Sequence, residues 1–194
     1  MILIKNGNVI TEKKVINADI LIDAGKIKKI EADIKAPSDK VEIIDAANKF
    51  IFPGAIDPHT HHELNLGAGR MSSDTFASGS AAALAGGVTT IFDFAHQELP
   101  NETLKQAYKR TLKLALKAKN RVFLHGGIMN LTGDIEKQIE DAFSCGVKSF
   151  KIYLNSTKTS TELLFRAFNI ISKLKGKVLL HCEDAGIVEY LKKS

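Results

Sequence analysis

Phe50-Ile51-Phe52-Pro53-Gly54-Ala55-Ile56-Asp57-Pro58-His59-Thr60-His61 decides how this chain is to be read. An apolar run leads into two histidines one residue apart. Side chains at i and i+2 of a strand share a face. His59 and His61 can therefore grip one metal ion, with Asp57 on the same side and Phe52, Gly54 and Ile56 on the other. A lone histidine at a strand end is more simply a hydrogen-bonded residue. Two of them, spaced to converge at the end of an apolar strand, point to metal binding. His62 falls on the opposite parity and stands outside the pair.

Upstream, residues 1–50 read as short strands over Met1–Ile10, Ala18–Asp23, Lys26–Glu31 and Val41–Asp45, with Asn6-Gly7 and Ala24-Gly25 as turn signals. The expectation is a small antiparallel sheet.

Downstream, the rhythm changes to strand, helix, strand, helix. Strands are expected over Ile51–His61, Val88–Ala95, Arg121–Ile128, Val147–Leu154 and Lys177–Cys182. Helices are expected over Asp74–Ala85, Glu102–Lys119, Ile135–Ser144 and Thr161–Leu174, with another beginning at Gly186. Alternating βα units argue for a parallel sheet, either open and doubly wound or part of a barrel. No Gly-x-Gly-x-x-Gly follows a strand, which disfavours a dinucleotide fold. The chemically interesting polar residues fall at the C-terminal ends of strands one, four and five, where a (β/α)₈ barrel gathers its active site. A full barrel takes roughly 250 residues. Residues 51–194 therefore read as the first five βα units of an incomplete, truncated barrel.

Two further residues join the histidine pair. In strand four, Phe150, Ile152 and Leu154 form an apolar face for the helices, which sends Val147, Ser149, Lys151 and Tyr153 to the interior. A lysine buried there is costly as an ammonium. Deprotonated, it is a nucleophile that can take up carbon dioxide as a carbamate, an anionic oxygen ligand able to bridge two divalent cations. The alternative is a lysine that reaches the barrel mouth or pairs with an acid. His181 ends Lys177-Val178-Leu179-Leu180 and completes a constellation drawn from three strand ends.

Other residues keep two readings. His125 and His96 either meet a substrate or are hydrogen-bonded at the rim. Asp93 is either a buried carboxylate held by the backbone or a group orienting an imidazole, and Asp57 is a candidate for the same supporting role. Asp74 reads as a helix N-cap. Cys182 is either a ligand or nucleophile, or a small buried residue on the opposite strand face.

Composition bounds the rest. With 44% hydrophobic and 25% charged residues the chain is an ordinary globular protein. Its net charge of +5 comes from lysines scattered over helix faces, such as Lys105, Lys109, Lys113 and Lys117. That pattern points away from nucleic acid. No run of about 18 apolar residues exists, so no membrane span is expected. Met1–Thr11 lacks a signal-peptide cleavage pattern. Two cysteines form no disulfide framework and suit a reducing cytoplasm.

Four ordered segments resemble the amidohydrolase superfamily, and within it the cyclic amidohydrolases: dihydropyrimidinase or hydantoinase, allantoinase and dihydroorotase. They are Phe52–His61, Gly86-Gly87-Val88-Thr89-Thr90-Ile91-Phe92-Asp93-Phe94, Ser149-Phe150-Lys151-Ile152-Tyr153 and Leu180-His181-Cys182-Glu183. The resemblance covers about the first half of a typical member. It implies that residues 1–50 are the N-terminal part of a β-sandwich domain. It further implies two divalent metal ions, zinc first, with His59 and His61 on one, His181 on the other and carboxylated Lys151 bridging both. The expected substrate is a small cyclic amide or ureide, and the full-length protein is expected to be a homo-oligomer.

The family's further metal histidine and its acid/base aspartate would lie beyond Ser194, so residues 1–194 alone are expected to be inactive, with strand five left as an open edge. Glu63 and Ala95-His96-Gln97 replace an arginine and an asparagine usual in dihydroorotases. Ser156 replaces a tyrosine usual in hydantoinases, and Lys151–Asn155 resembles some dihydroorotases. The substrate is left open, as is a catalytically silent dihydropyrimidinase-like interaction protein.

Overall fold

The structure, a computed structural model, describes residues 1–129, 133–155 and 160–193. It divides into two compact units, Met1–Ala55 and Ile56–Ser194.

The first unit is built on β1 (Ile2–Ile10), β2 (Val15–Asp23), β3 (Lys26–Glu31), β4 (Glu42–Asp45) and β5 (Phe50–Ile51), with β1 hydrogen-bonded to β2, β4 and β5. The sheet is mixed, which corrects the antiparallel expectation: β1 pairs antiparallel with β2 but parallel with β4 and β5. Ala24-Gly25 makes the expected hairpin turn, both residues at positive φ (48° and 72°), which matches the twist of the strands it joins.

Asn6-Gly7 does not turn the chain. It is a bulge inside β1, where the register with β2 shifts between Ile4 and Gly7 and Asn6 takes φ 64°. A Cβ at Gly7 would sit 2.2 Å from Ile51 Cδ1, so glycine is what lets β5 approach. Buried Asp19 holds the bulge. It accepts the Asn6 N–H (2.8 Å) and the Ile34 N–H (2.9 Å), and pairs with Lys5 Nζ at 2.7 Å. Burial raises the pKa of this carboxyl, but Lys5 and the two backbone donors outweigh it and hold the group below its ordinary value.

The second unit carries β6 (Ala55–Asp57, starting at the junction), β7 (Asn65–Gly67), β8 (Arg70–Met71), α1 (Phe76–Ala85), β9 (Val88–His96), α2 (Leu104–Ala115), β10 (Arg121–Ile128), α3 (Ile135–Ser144), β11 (Ser149–Tyr153), α4 (Thr161–Lys173), β12 (Lys177–His181) and α5 (Ala185–Leu191). Five strands lie in the order β12-β11-β10-β9-β6, a parallel half-barrel, while β7 and β8 form a separate hairpin.

The expected strand Ile51–His61 is divided. Phe50 and Ile51 pair with β1, only Ala55–Asp57 joins the parallel sheet, and both histidines lie past its end. Proline at 53 and 58 removes ladder donors on either side of β6. Helix α1 starts at Phe76, two residues after the expected Asp74, and is capped by Thr75 in a reciprocal box with Ser78 rather than by Asp74.

Alternation along the strands sets the two faces. Ile91 and Ala95 of β9, Leu124 and Ile128 of β10, and Phe150 and Ile152 of β11 are buried, most of them in two cores shared with the helices. Burying the Ile, Leu and Phe side chains among them stabilises by about 1.5–3 kcal/mol each. Val147, expected inside the barrel, precedes β11 and belongs to the helix-side core. Phe92, Phe94, His96, Phe123, His125, Lys151 and Tyr153 take the other parity, which carries the site. Cys182 is exposed just past β12, which corrects its reading as a buried residue. Among the described residues, no helix is long and apolar enough to cross a membrane.

Candidate functional site

Three hydrogen bonds shape the segment after β6. Asp57 Oδ1 accepts the His59 N–H at 3.0 Å, a side-chain turn that bends the chain. Thr60 then ties it to β9, its N–H bonding Phe92 O at 2.9 Å and its hydroxyl bonding Asp93 Oδ2 at 2.9 Å. His59 and His61 emerge edge to face, with centroids 5.0 Å apart and Nε2 atoms 3.1 Å apart. Both rest on Phe94 (4.6 and 4.8 Å).

His61 Nδ1 is buried and meets no partner. Burial lowers the pKa of this imidazole, the charges of His59, Lys151 and His62 add to the effect, and Asp93 opposes it. Neutral imidazole is the form that binds metal. A 3.1 Å separation of two ring nitrogens is one that two ligands of a single ion can have, given metal–nitrogen distances of about 2.0–2.1 Å. The donors present therefore fit a divalent cation.

Asp93 lies at the centre of what holds this segment. It shares the helix-side parity of Ile91 and Ala95 and is buried. Its Oδ2 accepts the Thr60 hydroxyl, the His62 N–H (2.9 Å) and His62 Nδ1 (2.8 Å), while Oδ1 takes the Phe94 N–H at 2.6 Å. His61 is thus clamped on both sides in sequence. Asp93 is held by backbone donors, the first of its two readings, and the imidazole it bonds is that of His62, which stands outside the expected ligand pair. His62 packs on Phe76 (5.4 Å) and fills space left by Gly79, where a Cβ would lie 2.1 Å from His62 Nε2. Parity alone set His62 aside. A glycine inside a helix of otherwise small residues was the signal that a large group lies against it.

Lys151 is buried on the site face, 5.4 Å from the Tyr153 ring, and its charge contributes to the lowered pKa of His61, His96 and His125. His96 is buried, mainly for that reason held at a pKa of about 4, and its Nε2 lies 2.8 Å from Tyr153 Oη. Gly127 makes its room, since a Cβ there would be 2.4 Å from His96 Cδ2. Burial pushes Tyr153 up to about 12, so its phenol keeps its proton. His125 is engaged at both nitrogens, Nε2 to Pro58 O at 3.2 Å and Nδ1 to Ser149 Oγ at 2.5 Å, which is the rim role of its two readings. The carbonyl accepts only, so Nε2 carries the proton and Nδ1 accepts from the serine.

His181 stands apart from the pair. It is in register with Tyr153, 5.6 Å between rings, and its Nε2 meets Glu183 Oε2 at 2.9 Å. Among the described residues, no three His, Cys, Asp or Glu side chains gather closely enough to hold one ion. The structure thus brings His59 and His61 together, with Lys151 nearby, and leaves His181 further along the strand ends. Beside them is a cavity of about 320 Å³ whose lining includes Leu64, Gly67, His96, Gln97, Glu98 and Tyr153. Glu63, at φ 49°, turns its carboxylate to the Phe76 N–H (3.4 Å) and to Lys117 Nζ (3.9 Å). Ser156 lies outside the described residues.

The sequence profile of the amidohydrolase family matches residues 50–194. The chain belongs to the amidohydrolase family. Members of this family are generally metal-dependent. This amidohydrolase chain is 35% identical to the D-hydantoinase of Geobacillus stearothermophilus over 196 residues, covering 98% of the chain and 41% of that protein. It is 33% identical to dihydropyrimidinase 1 of Caenorhabditis elegans over 195 residues, covering 97% of the chain and 40% of that protein. The solved D-hydantoinase (dihydropyrimidinase) from Thermus sp. superposes with a TM-score of 0.90 at 30% identity, over 100% of this chain and 42% of the other. The chain spans about two fifths of the length of the relatives it matches.

Proposed function

We propose that this amidohydrolase segment is the metal-holding part of an enzyme that hydrolyses a C–N bond of a cyclic amide or ureide, of the hydantoinase or dihydropyrimidinase kind. The observation that carries the reading is the convergence of His59 Nε2 and His61 Nε2 at 3.1 Å, with buried Lys151 beside them, at the strand ends of a half-barrel. The hydantoinase and dihydropyrimidinase relatives support the substrate class.

In this reading His59 and His61 would hold one divalent ion and His181 a second, and Lys151, as a carbamate, would supply an anionic oxygen ligand. Its neutral amine attacks carbon dioxide and loses a proton, leaving a carbamate anion. Zinc suits imidazole with carboxylate-type donors. Bound there, such ions supply Lewis acidity and lower the pKa of water. Asp93 and His62 keep the His59–His61 segment in place from the helix side. Tyr153 lines the cavity and keeps its phenol proton, with its hydroxyl held by His96. Glu63 leaves no cation at the position that holds a substrate carboxylate in dihydroorotases, which favours an uncharged ring. The reading places the full-length protein in the cytoplasm as a homo-oligomer.

Ring opening of dihydrouracil and hydantoin by the full-length protein, followed by loss of ring absorbance, tests this. Hydrolysis abolished by a chelator and restored by a divalent metal is expected. A full-length, metal-loaded protein that opens neither ring would overturn the substrate assignment.

A further inference from the structure

We propose that Arg110, on α2 and outside the cavity lining, is a positioning residue for the substrate cavity. Its guanidinium donates from Nε to Glu102 Oε1 (2.8 Å) and from Nη2 to both Glu102 Oε2 (3.2 Å) and the His96 carbonyl (2.8 Å), and Nη1 lies 3.3 Å from Glu98 Oε2. Glu102 passes the constraint on. Its Oε2 accepts the N–H groups of Glu98 (2.9 Å) and Leu99 (3.3 Å), and its carbonyl accepts from Gln97 Nε2 (2.8 Å). Gln97 Oε1 in turn accepts the Met129 N–H at 3.2 Å, which ties the end of β9 to the end of β10.

His96, Gln97 and Glu98 are the cavity-lining residues held in this way, and Met129 lines it too. His96 also carries the hydrogen bond to Tyr153, so the same anchor reaches the phenol. The Glu102 side chain is 4% exposed, and a carboxylate that buried is kept for its partners. A planar fork bonding a carboxylate through two nitrogens and a carbonyl besides is a task lysine cannot perform. The inference rests on the functional reading in that it takes this cavity as the one that receives the ring.

The test compares Arg110→Lys, Glu102→Gln and the double variant with the wild type, all at full length. Amide hydrogen exchange at Glu98 and Leu99 is read first. It should speed up by about tenfold or more in each single variant while β10 and β11 stay protected. In ring opening, KM should rise by about tenfold with kcat within about threefold and metal content unchanged. The double variant should be no worse than either single one, because both break one network. Unchanged exchange at Glu98 and Leu99 would overturn the proposal. So would a KM equal to the wild type's, or an effect confined to kcat with loss of metal. If the wild type opens no ring, the functional reading fails by itself, and the exchange measurement still decides whether Arg110 holds the wall.

Discussion

Asp93 Oδ2 lies 2.8 Å from His62 Nδ1, and the two residues brace the candidate metal pair from the side of the sheet that faces the helices. Among the described residues, no hydrogen bond joins the carboxylate to the His59 or His61 ring. Asp93 holds the hydroxyl of Thr60 and the N–H of His62, the residues flanking His61, and so fixes where that imidazole points. Supporting groups of this kind typically change metal affinity by about 10–100-fold when removed. Asp93→Asn should weaken metal binding on that scale, read by competition with a metallochromic chelator. Unchanged affinity would make Asp93 a packing residue only.

Gly79→Ala probes the same brace from the opposite side. The added methyl would meet His62 Nε2 at 2.1 Å, so the imidazole must leave its seat or α1 must shift. Overpacking of this sort costs about 1–3 kcal/mol. The melting temperature should fall, and metal affinity should fall with it. Alanine at neighbouring Ser78, on the exposed start of α1, should remove only the hydroxyl that accepts the Thr75 N–H and donates to Asp74, and leave metal affinity unchanged.

His125→Ala separates a rim role from a substrate role. Both ring nitrogens are occupied, by Ser149 and Pro58, and Phe92 stacks on the ring at 5.2 Å. The variant should lose about 1–3 kcal/mol of stability, mainly from the unsatisfied partners and the space left behind. KM for the ring should stay near the wild-type value. A KM increase without destabilisation would show that His125 meets substrate.

The first unit makes its own acid-sensitivity prediction through Asp19. Its folded-state pKa lies below the ordinary carboxyl value of 3.8, so folding is favoured by its ionised form. That stabilisation is fully present above about pH 5 and is lost as pH falls below 3.8 through the lowered folded-state pKa. Asp19→Asn should flatten this part of the urea-stability profile and cost about 1–3 kcal/mol at pH 7. An unchanged profile would show that the Lys5–Asp19 pair contributes nothing to acid sensitivity.

The barrel half was legible because its signals are periodic and local. Arg121–Ile128 and Ile135–Ser144 appear in the structure with the bounds read from the sequence, and alternation placed Lys151 and Tyr153 on the site face. Alternation failed where the chain leaves regular structure. Phe50–His61 is one apolar run in sequence, yet prolines at 53 and 58 interrupt the ladder and divide it between two sheets. Asn6-Gly7 carries a turn signature but sits in a bulge, because buried Asp19 and the approach of Ile51 select that geometry from afar. Arg110 is hidden for the same reason, and the sequence signals His62 only indirectly, through Gly79; their partners lie 14 and 31 residues away.

Elemental analysis of the full-length protein, purified without chelator beside a His59→Ala/His61→Ala variant and a Lys151→Ala variant, tests the central claim most directly. The wild type should carry about two equivalents of a divalent metal, zinc first. Both variants should lose most of it, and ring-opening activity with it. Full metal content in the histidine double variant, or a wild type that opens the ring with no metal bound, would contradict the assignment.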